Sequence, residues 1–117
     1  MIAAAEREAE AARLDLEDAT AEARAQAEAL ATEARRAQGQ VERYRSGLLP
    51  QSSAAFDASR ASYLGGRGDF AAALDELRNW TEVRVELVRR EAAYFSALGR
   101  LETLVRAVAR TESEKGK

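Results

Sequence analysis

Small and apolar residues at Ala23, Ala27, Leu30, Ala34, Ala37, Val41, Tyr44 and Leu48 recur at steps of three and four along the first part of the chain. Such steps stack side chains on one face of an α-helix, and they predict a helix over about 3–48. Most of that stripe is alanine, which implies close axis-to-axis packing and little hydrophobic energy per turn. Over the first twenty or so residues Leu14 and Leu16 are the large apolar side chains of the run, so this end is expected to fray unless a partner covers it.

Pro50 interrupts the pattern. Inside a helix it removes one hydrogen bond and presses on the carbonyl of Ser46, at a cost of about 3 kcal/mol, and it biases Leu49 away from helical geometry. With Gly47 nearby, a kink or short break is expected near 46–50, and Pro50 suits the first turn of a new helix over about 51–64. Leu49, Ser52, Phe56, Ser59 and Tyr63 would form the buried stripe of that helix. Three glycines in four positions then follow, Gly65, Gly66 and Gly68 around Arg67. They would cost a continuous helix about 3 kcal/mol and supply the positive φ angles of a helix cap and a tight turn. Asp69 stands where an N-cap belongs. The stretch 65–69 is therefore read as a turn that makes its flanking helices antiparallel neighbours.

The last helix, about 70–110, carries the densest pattern. Phe70, Leu77, Arg84, Glu91, Leu98 and Val105 repeat every seven residues, and Ala73, Trp80, Leu87, Tyr94, Leu101 and Val108 repeat with them. A second apolar row, Leu74, Thr81, Val88 and Phe95, lies beside this seam. Two adjacent rows call for neighbours on both sides, as in a bundle or a wall of helices. Arg84 and Glu91 interrupt the seam and are expected to pair across it or snorkel, favouring register over raw stability. The stretch 111–117 reads as a disordered tail. The fold class is all-α: a single long antiparallel helical hairpin or coiled coil over 1–110, with a proline kink in its first arm.

Composition narrows the chemistry. Aromatics make up only 6% of the residues, which suits long helices packed closely rather than a thick core. Charges of both signs are interspersed with a net of −2, which argues against a nucleic-acid partner. The chain has no cysteine and no histidine, so thiolate chemistry, imidazole catalysis and Cys/His zinc sites are excluded. Carboxylates on exposed helices have no cleft to desolvate them, and neither enzymatic activity, nor a cofactor, nor a metal site is expected. No apolar run approaches the ~20 residues of a membrane-spanning helix, and no signal-peptide pattern is expected in this stretch. Arg67-Gly68-Asp69 spells an adhesion tripeptide and Asn79-Trp80-Thr81 a glycosylation sequon. The turn accounts for the first, and a helical seam position at Trp80 accounts for the second.

Tyr63-x-x-Gly66, then Asp69-Phe70, Leu74-Asp75 and Arg78, followed by Tyr94, Ala97 and Leu101, resembles the C-terminal hairpin of TolC-like outer-membrane efflux proteins. The approach through Arg43-Tyr44-Arg45-Ser46-Gly47-Leu48-Leu49-Pro50 is similar to the heavy-metal and cation branch of that family. The resemblance covers about residues 44–104. It implies a segment of a periplasmic α-helical barrel, belonging to an outer-membrane protein that trimerises and reaches the membrane through a β-barrel region this stretch lacks. It implies that Tyr63, Gly65, Gly66, Arg67, Gly68 and Asp69 form a tip that meets a periplasmic adaptor and, through it, an inner-membrane pump. Asp75 becomes a candidate for the acidic gate of the tunnel. Phe70, Leu74, Leu77, Trp80, Leu87, Val88, Tyr94, Phe95, Leu98 and Leu101 become the helix-packing seam. The alternative expectation is a stand-alone coiled-coil interaction or dimerisation module.

Overall fold

An alanine-rich stretch with no proline before position 50 has nothing to stop a helix. Accordingly α1 runs Ile2–Arg43 in the computed structural model, which describes residues 2–116. One π-helical turn, Tyr44–Leu48, leads directly into α2, Leu49–Leu64. The glycine turn then leads to α3, Phe70–Lys115. No strand occurs among the described residues, and the fold is an all-α helical hairpin.

The break expected near 46–50 is replaced by a widening. Leu48 and Leu49 keep right-handed helical angles (φ −65°, ψ −38° and φ −66°, ψ −51°), with Pro50 in the first turn of α2. The Leu49 N–H donates to the Tyr44 carbonyl, five residues back rather than four. Pro50 has no N–H to offer Ser46, and a wider turn relieves its ring of that carbonyl. The apolar stripe gives a second reason. Its buried and half-buried positions run 41, 44 and 48, then 49, 52, 56 and 59, with 53 and 55 beside them: threes and fours on each side of an adjacent inward pair, Leu48 and Leu49, so that Leu49 stands five after Tyr44. In a helix of 3.6 residues per turn a five-residue step rotates a side chain by about 140° off the face. A π turn closes over five residues and keeps Leu49 in line with Tyr44.

The C-terminal end is more helical than the sequence pattern suggests, whereas α1 starts at Ile2, close to the expected start. The stretch from Thr111, expected to be a disordered tail, continues α3 to Lys115, with the Thr111 hydroxyl donating to the Ala107 carbonyl at 3.0 Å. No glycine or proline stands between Gly99 and Gly116, and Glu112, Glu114 and Lys115 are good helix formers. The last residue of that expected tail, Lys117, lies outside the described residues.

The chain divides into two units, Ala34–Ala97 and Met1–Glu33 with Leu98–Lys117. In Ala34–Ala97 the end of α1, the π turn and α2 pack against the first part of α3. All five buried residues among those described are here, and three are alanines: Ala34, Val41, Ser52, Ala73 and Ala97. The Ser52 hydroxyl donates to the Leu49 carbonyl at 3.1 Å, so its burial leaves no polar group unpaired. Larger side chains close the edges of this thin seam. Phe56 stacks on Trp80 with ring centroids 5.7 Å apart and planes 14° from parallel. The Arg84 guanidinium lies over the Trp80 ring at 5.2 Å, and that of Arg90 over Tyr44 at 5.6 Å. Arg90 also donates to Gln40, and Arg45 pairs with Glu91 at 2.7 Å. Of the charged seam positions, Glu91 pairs across to the first arm, as anticipated, and exposed Arg84 sets its guanidinium over a ring of its own helix. An ion pair this exposed contributes about 0.2–1 kcal/mol, enough to bias register and too little to hold the arms together.

In the unit Met1–Glu33 with Leu98–Lys117, no described residue is buried. Leu30, Leu98, Leu101, Leu104 and Val108 are half-buried between the two helical stretches, and Arg100 pairs with Glu33 at 2.8 Å. No helix among the described residues is long and apolar enough to cross a membrane.

Candidate functional site

The turn is built from backbone geometry. Among the described residues Gly66 is the one with a left-handed backbone, φ +72°. Its N–H donates to the Tyr63 carbonyl at 3.1 Å, and the Arg67 N–H donates to the Ser62 carbonyl at 2.9 Å. This pair of bonds is the Schellman cap, which satisfies the last carbonyls of a helix around a glycine. The Gly68 N–H adds a second bond to Ser62, at 3.0 Å. Gly68 is needed for space: a Cβ there would lie 2.9 Å from the Ser62 Cβ and 3.0 Å from the Tyr63 nitrogen. Gly65, at φ −83°, meets neither constraint. Asp69 then caps α3, its carboxylate accepting from the Ala71 N–H at 3.1 Å while its carbonyl takes the Ala73 N–H at 3.2 Å. Tyr63 and Phe70 face each other across the turn, ring centroids 5.5 Å apart and tilted by 58°. Tyr63 through Phe70 are all exposed. The tip is therefore rigid and open to solvent.

The adhesion tripeptide is absorbed by this geometry, since Gly68 is pressed on Ser62 and Asp69 caps a helix. Asn79 is exposed, but Trp80 is half-buried against Phe56. Asp75 points into solvent with three-quarters of its side chain exposed, 3.8 Å from Arg78 on its own helix. Among the described residues no three acidic side chains converge to hold a metal ion.

The packing residues divide by row. Trp80, Leu77, Leu87 and Tyr94 are half-buried against the first arm, as is Leu74. Leu98 and Leu101 are half-buried in the other unit. Phe70, Val88 and Phe95 are exposed, Val88 by 64% and Phe95 by 68%. With Val85 and Ala92, also exposed, Val88 and Phe95 form an exposed ridge on α3 at steps of three and four; Phe95, at its edge, lines a small pocket with Val41, Glu42 and Arg45 of the first arm. Phe95 packs edge-on against Tyr94 at 5.7 Å, which holds its ring in place.

A further surface was not singled out by the sequence pattern. In the unit Met1–Glu33 with Leu98–Lys117, a groove of about 580 Å³ runs between Leu16, Ala23 and Ala27 on α1 and Leu104, Val105 and Val108 on α3. The available signal was a volume mismatch: alanines stand opposite larger residues without enough side chain to fill the space between two helices. No family model, curated protein or solved structure matches this chain.

Proposed function

We propose that this hairpin is a structural component of a transport duct: the periplasmic hairpin of a TolC-like outer-membrane efflux channel, with its glycine turn docking a periplasmic adaptor linked to an inner-membrane pump. The observation that carries this reading is the ridge of α3, Val85, Val88, Ala92 and Phe95, left open while the opposite face packs on the first arm. A helix with one face on its own hairpin and another face free is what a wall of helices requires. The exposed tip, with its backbone bonds satisfied internally, supports the docking role, because a rigid surface loses little conformational freedom on binding. Asp75, exposed near that tip, is the candidate gate, where a carboxylate would favour passage of cations. Periplasmic localisation and trimerisation come with this reading.

The test is calorimetric binding of the chain to the coiled-coil hairpin of an adaptor protein from the same genome. Arg67→Glu reverses the tip charge without disturbing the turn backbone and is expected to weaken binding about tenfold or more. Gly66→Val distorts the tip itself and is expected to weaken binding further. Unchanged binding of both variants, with helicity retained, would remove the tip assignment. One observation favours a second reading as a stand-alone interaction module: the interhelix pairs Arg45–Glu91 and Arg100–Glu33 already fix a register within the chain.

A further inference from the structure

The π turn Tyr44–Leu48 holds one residue more than an α-helical turn, and the stripe around it fits two registers. Across the wide turn the inward face runs Tyr44, Leu49, Ser52, Phe56 and Ser59, and it seats Phe56 on Trp80. At plain α-helical pitch the face of α1 would instead continue through Tyr44, Leu48, Ser52, Ala55, Ser59 and Ser62, unbroken at steps of three and four. Every residue of this second row is also buried or half-buried. Beyond Leu48 it consists of alanine and serines, small enough to face α3 without a clash. α2 thus has two inward faces, one aromatic and one small, whose centres lie about 100° apart.

The bonding around α2 leaves it free to turn. The end of α1 is tied to α3 by polar pairs, Arg90 to Gln40 and Arg45 to Glu91. Among the described residues no ion pair or side-chain hydrogen bond joins α2 to α3, and the Ser52 hydroxyl returns to its own helix. The cap travels with α2, because the N–H groups of Gly65, Gly66, Arg67 and Gly68 all donate to carbonyls of Ala61–Tyr63. Asp69 belongs to the other side, its acceptors taken by Ala71 and Ala73 of α3. Pro50 chooses between the faces. At α-helical pitch its ring would press on the Ser46 carbonyl, whereas in the wide turn it sits in the first turn of α2. The stack of Phe56 on Trp80 adds to the same choice.

We infer that α2 and its glycine cap form a swivel between the π turn and the Gly68–Asp69 link, with Pro50 as its latch. The π turn stores one residue. Releasing it turns α2 by about 100°, lengthens the first arm by about 1.5 Å and brings the serine and alanine face onto α3. A partner that draws the tip outward favours the longer arm, so engagement at the tip and the packing of α2 on α3 are linked. The device lies within the chain and is independent of the efflux reading, so its failure would leave tip docking untouched.

The test uses the full chain and NMR couplings across hydrogen bonds, which identify the carbonyl that the Leu49 N–H uses. In the wild type, and in Phe56→Ala with the latch intact, that carbonyl is expected to be Tyr44. Pro50→Ala removes nothing from the seam and should raise the population of the second register about a hundredfold, seen as exchange broadening centred on 44–68. In Pro50→Ala with Phe56→Ala the Leu49 N–H should move to the Arg45 carbonyl, with cooperative melting kept because the small face takes over the packing. A double variant still bonded to Tyr44, or a Pro50→Ala chain without exchange in 44–68, overturns the proposal. So does a wild type bonded to Arg45, or a double variant that loses the cooperative melting Phe56→Ala alone retains.

Discussion

Substituting the turn glycines one at a time separates the two physical demands placed on them. At Gly66 the demand is conformational. An L-residue held at φ +72° costs about 1–2 kcal/mol relative to glycine, so Gly66→Ala should lower stability by that amount. Gly66→Asn should cost less, because its short amide tolerates the left-handed region. At Gly68 the demand is space. The added Cβ would meet the Ser62 Cβ at 2.9 Å and two Ser62–Tyr63 backbone atoms at 3.0 and 3.1 Å, and backbone cannot swing aside as a flexible side chain can. Relief means moving residues 67–68 away from α2, which stretches both bonds to the Ser62 carbonyl, from the Arg67 and Gly68 N–H groups. At about 0.5–1.5 kcal/mol each, losing both removes about 1–3 kcal/mol, before any residual overpacking. At Gly65 neither demand holds: φ is −83°, and an added Cβ comes within 3.3 Å of the Ala61 carbonyl alone among backbone atoms. There the small crowding offsets the gain of about 0.4–1 kcal/mol from a less flexible unfolded chain.

The expected order of destabilisation is therefore Gly68→Ala, then Gly66→Ala, then Gly66→Asn, with Gly65→Ala near zero. Urea unfolding followed by helical circular dichroism measures it, at one fixed protein concentration so that any association is held constant. The midpoint should shift with little change in slope, since the unfolded surface is the same. A Gly65→Ala variant as destabilised as Gly66→Ala would show that helix-breaking composition, and not the cap geometry, makes the turn. A neutral Gly68→Ala would show that the close approach to Ser62 is not maintained in solution.

Asp69→Ala should cost about 1 kcal/mol by removing the side-chain bond to the Ala71 N–H, and Asp69→Asn should restore most of it; hydrogen exchange at Ala71 reports the same loss locally. Deleting Gly47 together with Pro50→Ala should leave the hairpin within about 1 kcal/mol of wild type, because removing the extra residue turns the five-residue step into four and a plain α-helix then keeps the stripe aligned. Deleting Arg36 instead rotates everything before it by about 100° relative to the stripe and should abolish cooperative melting. Equal melting curves for the two deletions would refute the register account of the π turn.

Much of the hairpin was legible because its signals are local. The stripe from Ala23 to Leu48 reappears as the buried and half-buried face of α1 and the π turn, and Asp69 caps the helix that its position announced. Near Pro50 the same stripe carried more information than a list of helix breakers. It ended one run at Leu48 and began another at Leu49, and adjacent residues that both face inward are the mark of one inserted position. Proline propensity reads as a break, yet the packing of α2 on α3 through Phe56 and Trp80 favours continuity, and widening satisfies both. The extension to Lys115 was missed because charge and distance from the seam resemble a tail, although Glu and Lys are also good helix formers. The groove was invisible to a pattern of faces: Leu16, Leu104 and Val108 face inward in sequence, but whether opposed side chains fill the space between two helices depends on volumes across the pair.

The alanine seam also sets how much apolar surface the hairpin leaves open. An alanine methyl removed from water contributes roughly one methylene's worth, ~0.8 kcal/mol, whereas full burial of a valine or phenylalanine contributes about 1.5–3 kcal/mol. Three of the five buried residues among those described are alanines, while Val88 and Phe95 remain about two-thirds exposed. Half-buried Phe56, Leu77, Trp80, Leu87 and Tyr94 add to that seam, and the burial of two large side chains is still left on the outside of α3. A chain built this way folds back through helix propensity, capping and a thin seam, and keeps much of its apolar surface for whatever lies alongside.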